Sequence, residues 1–129
     1  MNEYPDRAYF LPKDPHWTFI WWHVSPETVE RVGLEGGFDP LQAQWTLRIH
    51  DVTDILFDDT NSHFHFDVDI SPEIDHWYLE IWAADRNYCA QAGFKTAAGR
   101  FHPAVTSNTI CLPRDGPSAS NEESWTTLT

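Results

Sequence analysis

Residues 62–70 read SHFHFDVDI, which is the clearest alternation in the chain. Apolar side chains occupy one set of alternate positions, namely Phe64, Phe66, Val68 and Ile70. Histidine and aspartate occupy the positions between them. Because successive side chains of a β-strand point to opposite sides, the pattern predicts a half-buried strand with an apolar and a polar face.

Other segments on both sides of this one also resemble strands. They span residues 17–24, 44–51, 77–82, 88–95 and 106–112. The first, WTFIWWHV, is apolar on both faces, which predicts a strand that is central or covered by a second layer. In the second, Trp45, Leu47 and Ile49 point one way. The last two predict a closing hairpin joined by a loop over residues 96–103.

One short helix is predicted after the first strand. Ser25 is a capping residue, Pro26 suits the first helical position, and Glu27 suits the positive end of the helix dipole. Gly33 and the pair at 36–37 predict that the helix ends after about two turns.

Six or more short strands with polar turns and a single helix predict an all-β fold. We expect an immunoglobulin- or fibronectin-like antiparallel sandwich over residues 15–113. Residues 1–14 are rich in proline and predict an extended N-terminal arm. Residues 114–129 are polar and acidic and predict a C-terminal tail.

Composition and charge narrow the classes of partner. The chain has 129 residues and a formal net charge of −12, which disfavours nucleic acids and anionic membranes. A partner with a basic protein surface fits this charge. No stretch is long and apolar enough to span a bilayer, and the N-terminal residues lack the pattern of a signal peptide. These features predict a cytoplasmic protein.

The ordered motifs of the chain resemble a known family. They are LPKDPHW at 11–17, Trp22, RIHDVT at 48–53, Asn61 with His63, Trp77-Tyr78, RNYCA at 86–90, Gly93-Phe94, GRF at 99–101 and SNTI at 107–110. Over roughly residues 8–114 this set is similar to the bacterial domain-of-unknown-function family numbered 4912. The resemblance implies a compact domain whose closing hairpin is similar to the last strands of fibronectin-type sandwiches. It implies no established activity.

Histidine and aspartate on the polar side of residues 62–70 suggest a metal site. His63, His65 and Asp67 lie two apart, about 6.5–7 Å along a strand, and two imidazoles at that spacing can converge on one zinc ion. A third ligand could come from an adjacent strand, through His23, His50 or Asp51. The alternative is the solvated face of an antiparallel strand.

Tryptophan is the most distinctive residue type, with seven copies in the chain. Six lie on predicted strands and one in the tail: Trp17, Trp21, Trp22, Trp45, Trp77, Trp82 and Trp125. Exposed indoles can anchor a protein partner or stack on sugar rings. Buried indoles would instead form the core. Because so few strands cannot turn all of them inward, we expect at least one exposed aromatic patch.

Two smaller features have competing interpretations. The acidic connection at residues 51–61 could bind calcium or could cap turns through side chain to backbone bonds. Cys89 and Cys111 would lie opposite each other if the final hairpin turned near Gly99, and they are either a close pair or two small buried residues.

Three hypotheses for function follow. The first is a non-catalytic binding module that acts as an adaptor or an accessory subunit of a larger assembly and uses the tryptophans above. The second is a glucan-binding module, with Trp17, Trp45 or Trp77 stacking on sugar. The third is a metal-dependent enzyme that uses His63 and His65. The first two require no cofactor.

Overall fold

The computed structural model describes residues 6–13, 16–81 and 85–112. In chain order, the elements within these ranges are β1 (Arg7–Pro12), β2 (Trp17–His23), α1 (Pro26–Gly36), a 3₁₀ turn (Pro40–Gln42), β3 (Gln44–Asp51), β4 (Phe64–Asp69), β5 (His76–Glu80), β6 (Asn87–Lys95), β7 (Phe101–Thr106) and β8 (Ile110–Cys111). In this part of the chain, no helix combines the length and the hydropathy that crossing a membrane requires. The predicted tail at 114–129 lies outside the described residues.

The strands form two antiparallel sheets. The first has the order β1-β2-β5, and the second has the order β4-β3-β6-β7, with β8 paired to the start of β6. The prediction of an all-β antiparallel sandwich with one helix is confirmed. The predicted strand at 44–51 coincides with β3, and β2 is the central strand of its sheet, as expected.

Alternate residues of both sheets build the core between the layers. Phe10, Ile20 and Trp22 come from the first sheet, and Leu47 and Ile49 come from β3 of the second. Each is at most 4% exposed. This inward set fixes the outward set, because side chains of neighbouring strand positions point to opposite faces.

Strand β1 departs from the expected N-terminal arm. Residues 7–12 are extended, as predicted, but they pair along their length with β2. Pro12 does not prevent the pairing. The Lys13 N–H donates to the Trp17 carbonyl at 2.8 Å, so residue 13 faces β2 and residue 12 faces away. A proline whose missing N–H would point outward removes no ladder hydrogen bond.

The helix is longer than predicted. Ser25 caps it by accepting a hydrogen bond from the Thr28 N–H at 3.2 Å, but it spans 11 residues and ends before Gly37, which has φ 71°. Gly33 lies inside the helix. A Cβ there would come within 2.7 Å of the Pro40 side chain, so this glycine permits close packing against the 3₁₀ turn and does not end the helix.

The closing hairpin also differs from the prediction. The turn is shorter than the expected loop at 96–103, and β7 begins at Phe101. Pro103 lies within β7, opposite Gly93, where the pairing register shifts. Proline is tolerated at such a bulge because the ladder is already interrupted there. The predicted strand at 106–112 is divided between the end of β7 and the short strand β8.

Candidate functional site

The exposed face of the first sheet is lined with aromatic rings. Alternation along β1, β2 and β5 turns a set of side chains away from the core: Tyr9, Trp17, Phe19, Trp21 and Tyr78. We call this set the outer aromatic face. Tyr9 lies directly opposite Trp21 across β1 and β2, and Phe19 lies opposite Tyr78 across β2 and β5. Three strands therefore hold the rings in place.

Ring contacts order this face. The Tyr9 and Trp21 rings are stacked, with centroids 5.8 Å apart and planes inclined by 26°. The Phe19 and Tyr78 rings are tilted, with centroids 5.0 Å apart. Tyr9 is 45% exposed, Trp17 43% and Tyr78 55%, so much of the ring surface remains accessible to solvent. The result is an exposed patch of aromatic rings.

Two cations flank the outer aromatic face. The Arg7 guanidinium lies 5.7 Å from the centroid of the Tyr9 ring, and the Lys13 ammonium lies 5.9 Å from that of Tyr78. Both distances are within the range of cation–π attraction. They place two of the chain's eight Lys and Arg residues beside its exposed rings.

The predicted tryptophans separate into surface and core. Trp17 is exposed and Trp21 is half-buried on the outer aromatic face. Trp22 is 4% exposed in the core, so the prediction that it contacts a ligand is wrong. Trp45 and Trp77 are half-buried and pack against the core. Trp82 and Trp125 lie outside the described residues.

The tyrosines and the phenylalanine of this face are not among the predicted site residues. Tyr9 was overlooked because the prolines near β1 suggested an arm. The signal was present, since Tyr9 and Leu11 alternate with the inward Ala8 and Phe10. At positions 77 and 78, only the tryptophan was predicted as a binding residue.

The histidines and aspartate suggested as metal ligands do not converge. A ring nitrogen of His63, Nε2, lies 2.9 Å from the Thr53 carbonyl oxygen. The His65 ring contacts the ring of His50, with centroids 5.7 Å apart. Within the described ranges, no three His, Cys, Asp or Glu residues form a group that could hold a metal ion. The polar side chains at and next to β4 therefore contact different partners and do not meet at one point.

Asp67 forms ion pairs with two cations. Its carboxylate accepts hydrogen bonds from Arg48 Nε at 2.8 Å and from Lys95 Nζ at 2.9 Å. Burial alone would raise the pKa of Asp67, but these two partners lower it to about 2. Asp67 therefore joins β4, β3 and β6 as an anion.

A buried histidine organises the polar side of the second sheet. His50 is 4% exposed, and its Nε2 lies 2.8 Å from Gln91 Oε1. The orientation of the Gln91 amide follows from its Nε2, which donates to the Asp59 carboxylate at 3.0 Å. His50 Nε2 must therefore be the donor, and Nδ1 accepts from the Ser62 hydroxyl at 2.9 Å. Both ring nitrogens are occupied in the neutral form.

This arrangement makes stability depend on pH. Burial lowers the pKa of His50 from its ordinary value of 6.5. The unfolded chain takes up a proton at a higher pH than the folded protein, so stability is full above 6.5 and falls as the pH drops toward the folded pKa. We expect urea unfolding between pH 7 and 5 to show a slope of up to about 1.4 kcal/mol per pH unit from this group. The variant His50→Gln should lack that component, and an unchanged slope in the variant would contradict the assignment.

The acidic connection after β3 contains turn caps. Asp51 accepts from the backbone N–H and the hydroxyl of Thr53, and Asp58 does the same for Thr60. Asn61 accepts from the Asp58 N–H at 2.9 Å. The capping interpretation of these residues is therefore confirmed.

The two cysteines are not opposite each other. Cys111 pairs with Asn87, and Cys89 lies opposite His50 on the other side of β6. Cys89 is buried, which raises its thiol pKa to about 11, whereas Cys111 is exposed. The predicted register is displaced because the hairpin turns earlier than expected, with Lys95 opposite Phe101, and the bulge and β8 make up only part of the difference.

Comparison with solved structures finds fibronectin type III domains. The chain is 12% identical to the FN5 domain of Drosophila Lar, with a TM-score of 0.49, covering 85% of this chain and 96% of that one. It is 12% identical to the third fibronectin III domain of human KIAA0343 protein, with a TM-score of 0.49, covering 88% and 82%. The fn3 domain of human collagen alpha-1(XX) chain is 10% identical, with a TM-score of 0.47, covering 90% and 87%.

The fold class itself rests on the strand order and pairing given above. No curated protein matches the chain. The family comparison is the informative one, because a single family model matches residues 5–123 and so includes both sheets. The chain therefore belongs to the family described as a domain of unknown function, DUF4912.

Proposed function

We propose that this domain is a non-catalytic binding module, an adaptor or accessory subunit that docks on a protein partner through its outer aromatic face. The observation that carries the proposal is the exposure of Tyr9, Trp17 and Tyr78 on one sheet face. Large rings in water are unfavourable in an isolated protein, and their contact with a partner removes that cost.

The chemistry of the face suits a protein partner. Tyrosine, tryptophan and arginine dominate the energetics of protein interfaces, and Tyr9, Trp17 and Arg7 lie on adjacent strands here. Tyr9 already contacts the Trp21 ring and Tyr78 the Phe19 ring, so less conformational entropy is lost when these rings bind. The net charge of −12 favours a partner with a basic surface.

The reactive side chains described above support binding rather than catalysis. Both nitrogens of His50 are engaged by Ser62 and Gln91. The raised thiol pKa of Cys89 keeps it protonated at neutral pH, and a protonated thiol is a poor nucleophile.

A double substitution tests the proposal. Tyr9→Thr combined with Trp17→Thr removes two exposed rings, while threonine keeps a strand-forming residue at each position. We expect the affinity for the partner that co-purifies with the wild-type protein to fall about 30-fold or more, the loss typical of one hot-spot ring. The measurement is a titration of purified partner by biolayer interferometry.

The matched control removes exposed leucines elsewhere. Leu34 is 78% exposed in α1, and Leu41 is 90% exposed in the 3₁₀ turn. Leu34→Gln with Leu41→Gln should bind the partner like the wild type. Retention of the partner by the Tyr9 and Trp17 variant, with loss in the leucine variant, would reject the outer aromatic face.

Glucan binding is the second function considered, since Trp17 offers an exposed indole. Trp45 and Trp77 are less suited to it, because both pack against the core. Isothermal titration with soluble α- and β-glucans should give flat heats. A saturable signal that disappears in Trp17→Thr would instead rank sugar binding first.

A further inference from the structure

Strand β5 is paired on one side only within the described residues. The Trp22 N–H donates to the Asp75 carbonyl at 3.0 Å, so residue 75 faces β2. Facing and outward residues alternate in an antiparallel ladder. His76, Tyr78 and Glu80 therefore direct their N–H and C=O groups away from β2, toward an open edge.

These outward backbone groups have no partner among residues 6–13, 16–81 and 85–112. The edge of β1, at the opposite side of the same sheet, has a hydrogen-bonding partner. Asn108 Oδ1 accepts from the Phe10 N–H at 2.9 Å, and Asn108 Nδ2 donates to the Phe10 carbonyl at 3.0 Å. One amide side chain thus occupies the position of a neighbouring strand at β1, whereas the described residues place no such cover on β5.

An apolar strip runs beside the open edge. β1 packs near β7 and β8, so β5 lies on the side of the sandwich where β4 is the edge of the other sheet. The half-buried apolar side chains along this side are Phe66, Val68, Ile74, Trp77 and Leu79. An open hollow of about 330 Å³ lies between Ile74 and Tyr78. An added strand could cover these groups with every second side chain.

Carboxylates outnumber cations on this side, although the Lys13 ammonium lies beside the Tyr78 ring. Residues 64–81 contain five carboxylates and no lysine or arginine. Asp67 is neutralised by Arg48 and Lys95, but Asp69, Glu73 and Asp75 are exposed. Such a surface attracts lysine and arginine and repels a second copy of this acidic chain.

From the open edge, the apolar strip and the carboxylates together, we infer that β5 accepts an added strand: an extended segment of a protein partner in which apolar and basic residues alternate. The added strand would hydrogen-bond to the backbone of His76, Tyr78 and Glu80. This inference rests on the proposed function in that the partner is a protein, but it concerns the backbone groups at the edge of β5 and not the rings of the outer aromatic face.

The test uses a fluorescein-labelled, acetylated seven-residue peptide of alternating lysine and valine, titrated by anisotropy in 150 mM salt. Tyr78→Pro removes an outward N–H and blocks the edge, without removing a bond to β2. Tyr78→Ala removes the ring but keeps the N–H. We expect the peptide to bind the wild type, and to bind Tyr78→Pro at least tenfold more weakly than Tyr78→Ala, because both variants lack the ring and only the proline variant lacks the N–H.

Two further peptides keep the test independent of how the proline variant folds. A peptide in which every internal backbone amide is N-methylated cannot donate to the edge in either strand direction and should not bind the wild type. A peptide with glutamate in place of lysine should also not bind. The inference would be overturned if either modified peptide bound the wild type as tightly as the lysine–valine peptide does. It would also be overturned if Tyr78→Pro bound the lysine–valine peptide as tightly as Tyr78→Ala does.

Sedimentation of the free protein provides one more outcome. A dimer that Tyr78→Pro converts to monomer would assign the edge to a second copy and reject the basic segment.

The Tyr9 and Trp17 variant separates the two proposals. If it loses the partner while the peptide results fail, the outer aromatic face stands and the edge inference falls. If this variant keeps the partner while the peptide binds as expected, the edge inference stands and the outer aromatic face is rejected.

Discussion

Replacing Gly93 with alanine is expected to destabilise the domain by about 3 kcal/mol or more, at the upper end of the range for overpacking. Gly93 lies in β6 at the register shift opposite Pro103. An added Cβ would lie 2.3 Å from the His102 carbonyl oxygen and 2.7 Å from the Pro103 Cα. Both atoms belong to the backbone, so β7 would have to move away and weaken its pairing with β6.

The measurement is the free energy of unfolding in urea, with Gly99→Ala as the control. Gly99 has φ 89° and no atom within 4 Å of the added Cβ. Its substitution should cost only the strain of a left-handed alanine, about 1 kcal/mol. Equal losses in the two variants would show that the close approach at the bulge is not what requires glycine.

Replacing Asp51 with alanine is expected to lower the free energy of unfolding by about 3 kcal/mol, the second large effect. The Asp51 side chain is fully buried and accepts hydrogen bonds from Arg86 and from Thr53. Burial alone would raise the pKa of Asp51, but these hydrogen bonds lower it, so the buried group is a carboxylate. The Thr53 hydroxyl in turn accepts from the Asn87 N–H at 2.9 Å. Loss of Asp51 therefore loosens the link between the end of β3 and the start of β6.

The chain contains a matched control for this prediction. Asp58 accepts from the N–H and the hydroxyl of Thr60 in the same way, but it is exposed. Asp58→Ala should change the urea midpoint little, because water can replace the lost hydrogen bonds. If both substitutions lowered the midpoint equally, burial and the Arg86 contact would not explain the importance of Asp51.

The predictable parts of the fold were those where local pattern and tertiary environment agree. β3 was predicted with its bounds, because alternation, flanking turns and burial all coincide there. β1 was predicted as an extended arm because prolines flank it, and the first residues of β7 were placed in the loop of the closing hairpin. Pro12 and Pro103 are accommodated at an outward position and at a bulge, and neither circumstance is visible before the pairing partners are known.

The candidate site could be predicted in kind but not in membership. The number of tryptophans predicted an exposed aromatic patch, and the structure contains one. Which rings lie outside depends on the register between strands, and a shift by one residue exchanges the two faces. Trp21 and Trp22 are adjacent in sequence, yet one lies on the surface and the other in the core.

Hydroxyl-radical footprinting of the free protein and of its complex with the co-purified partner tests the role of the outer aromatic face most directly. We predict rapid oxidation of Tyr9, Trp17 and Tyr78 in the free protein, strong protection of all three in the complex, and unchanged oxidation of Leu34 and Leu41. Rings that resist oxidation in the free protein, or that stay reactive in the complex while the leucines become protected, would contradict the account.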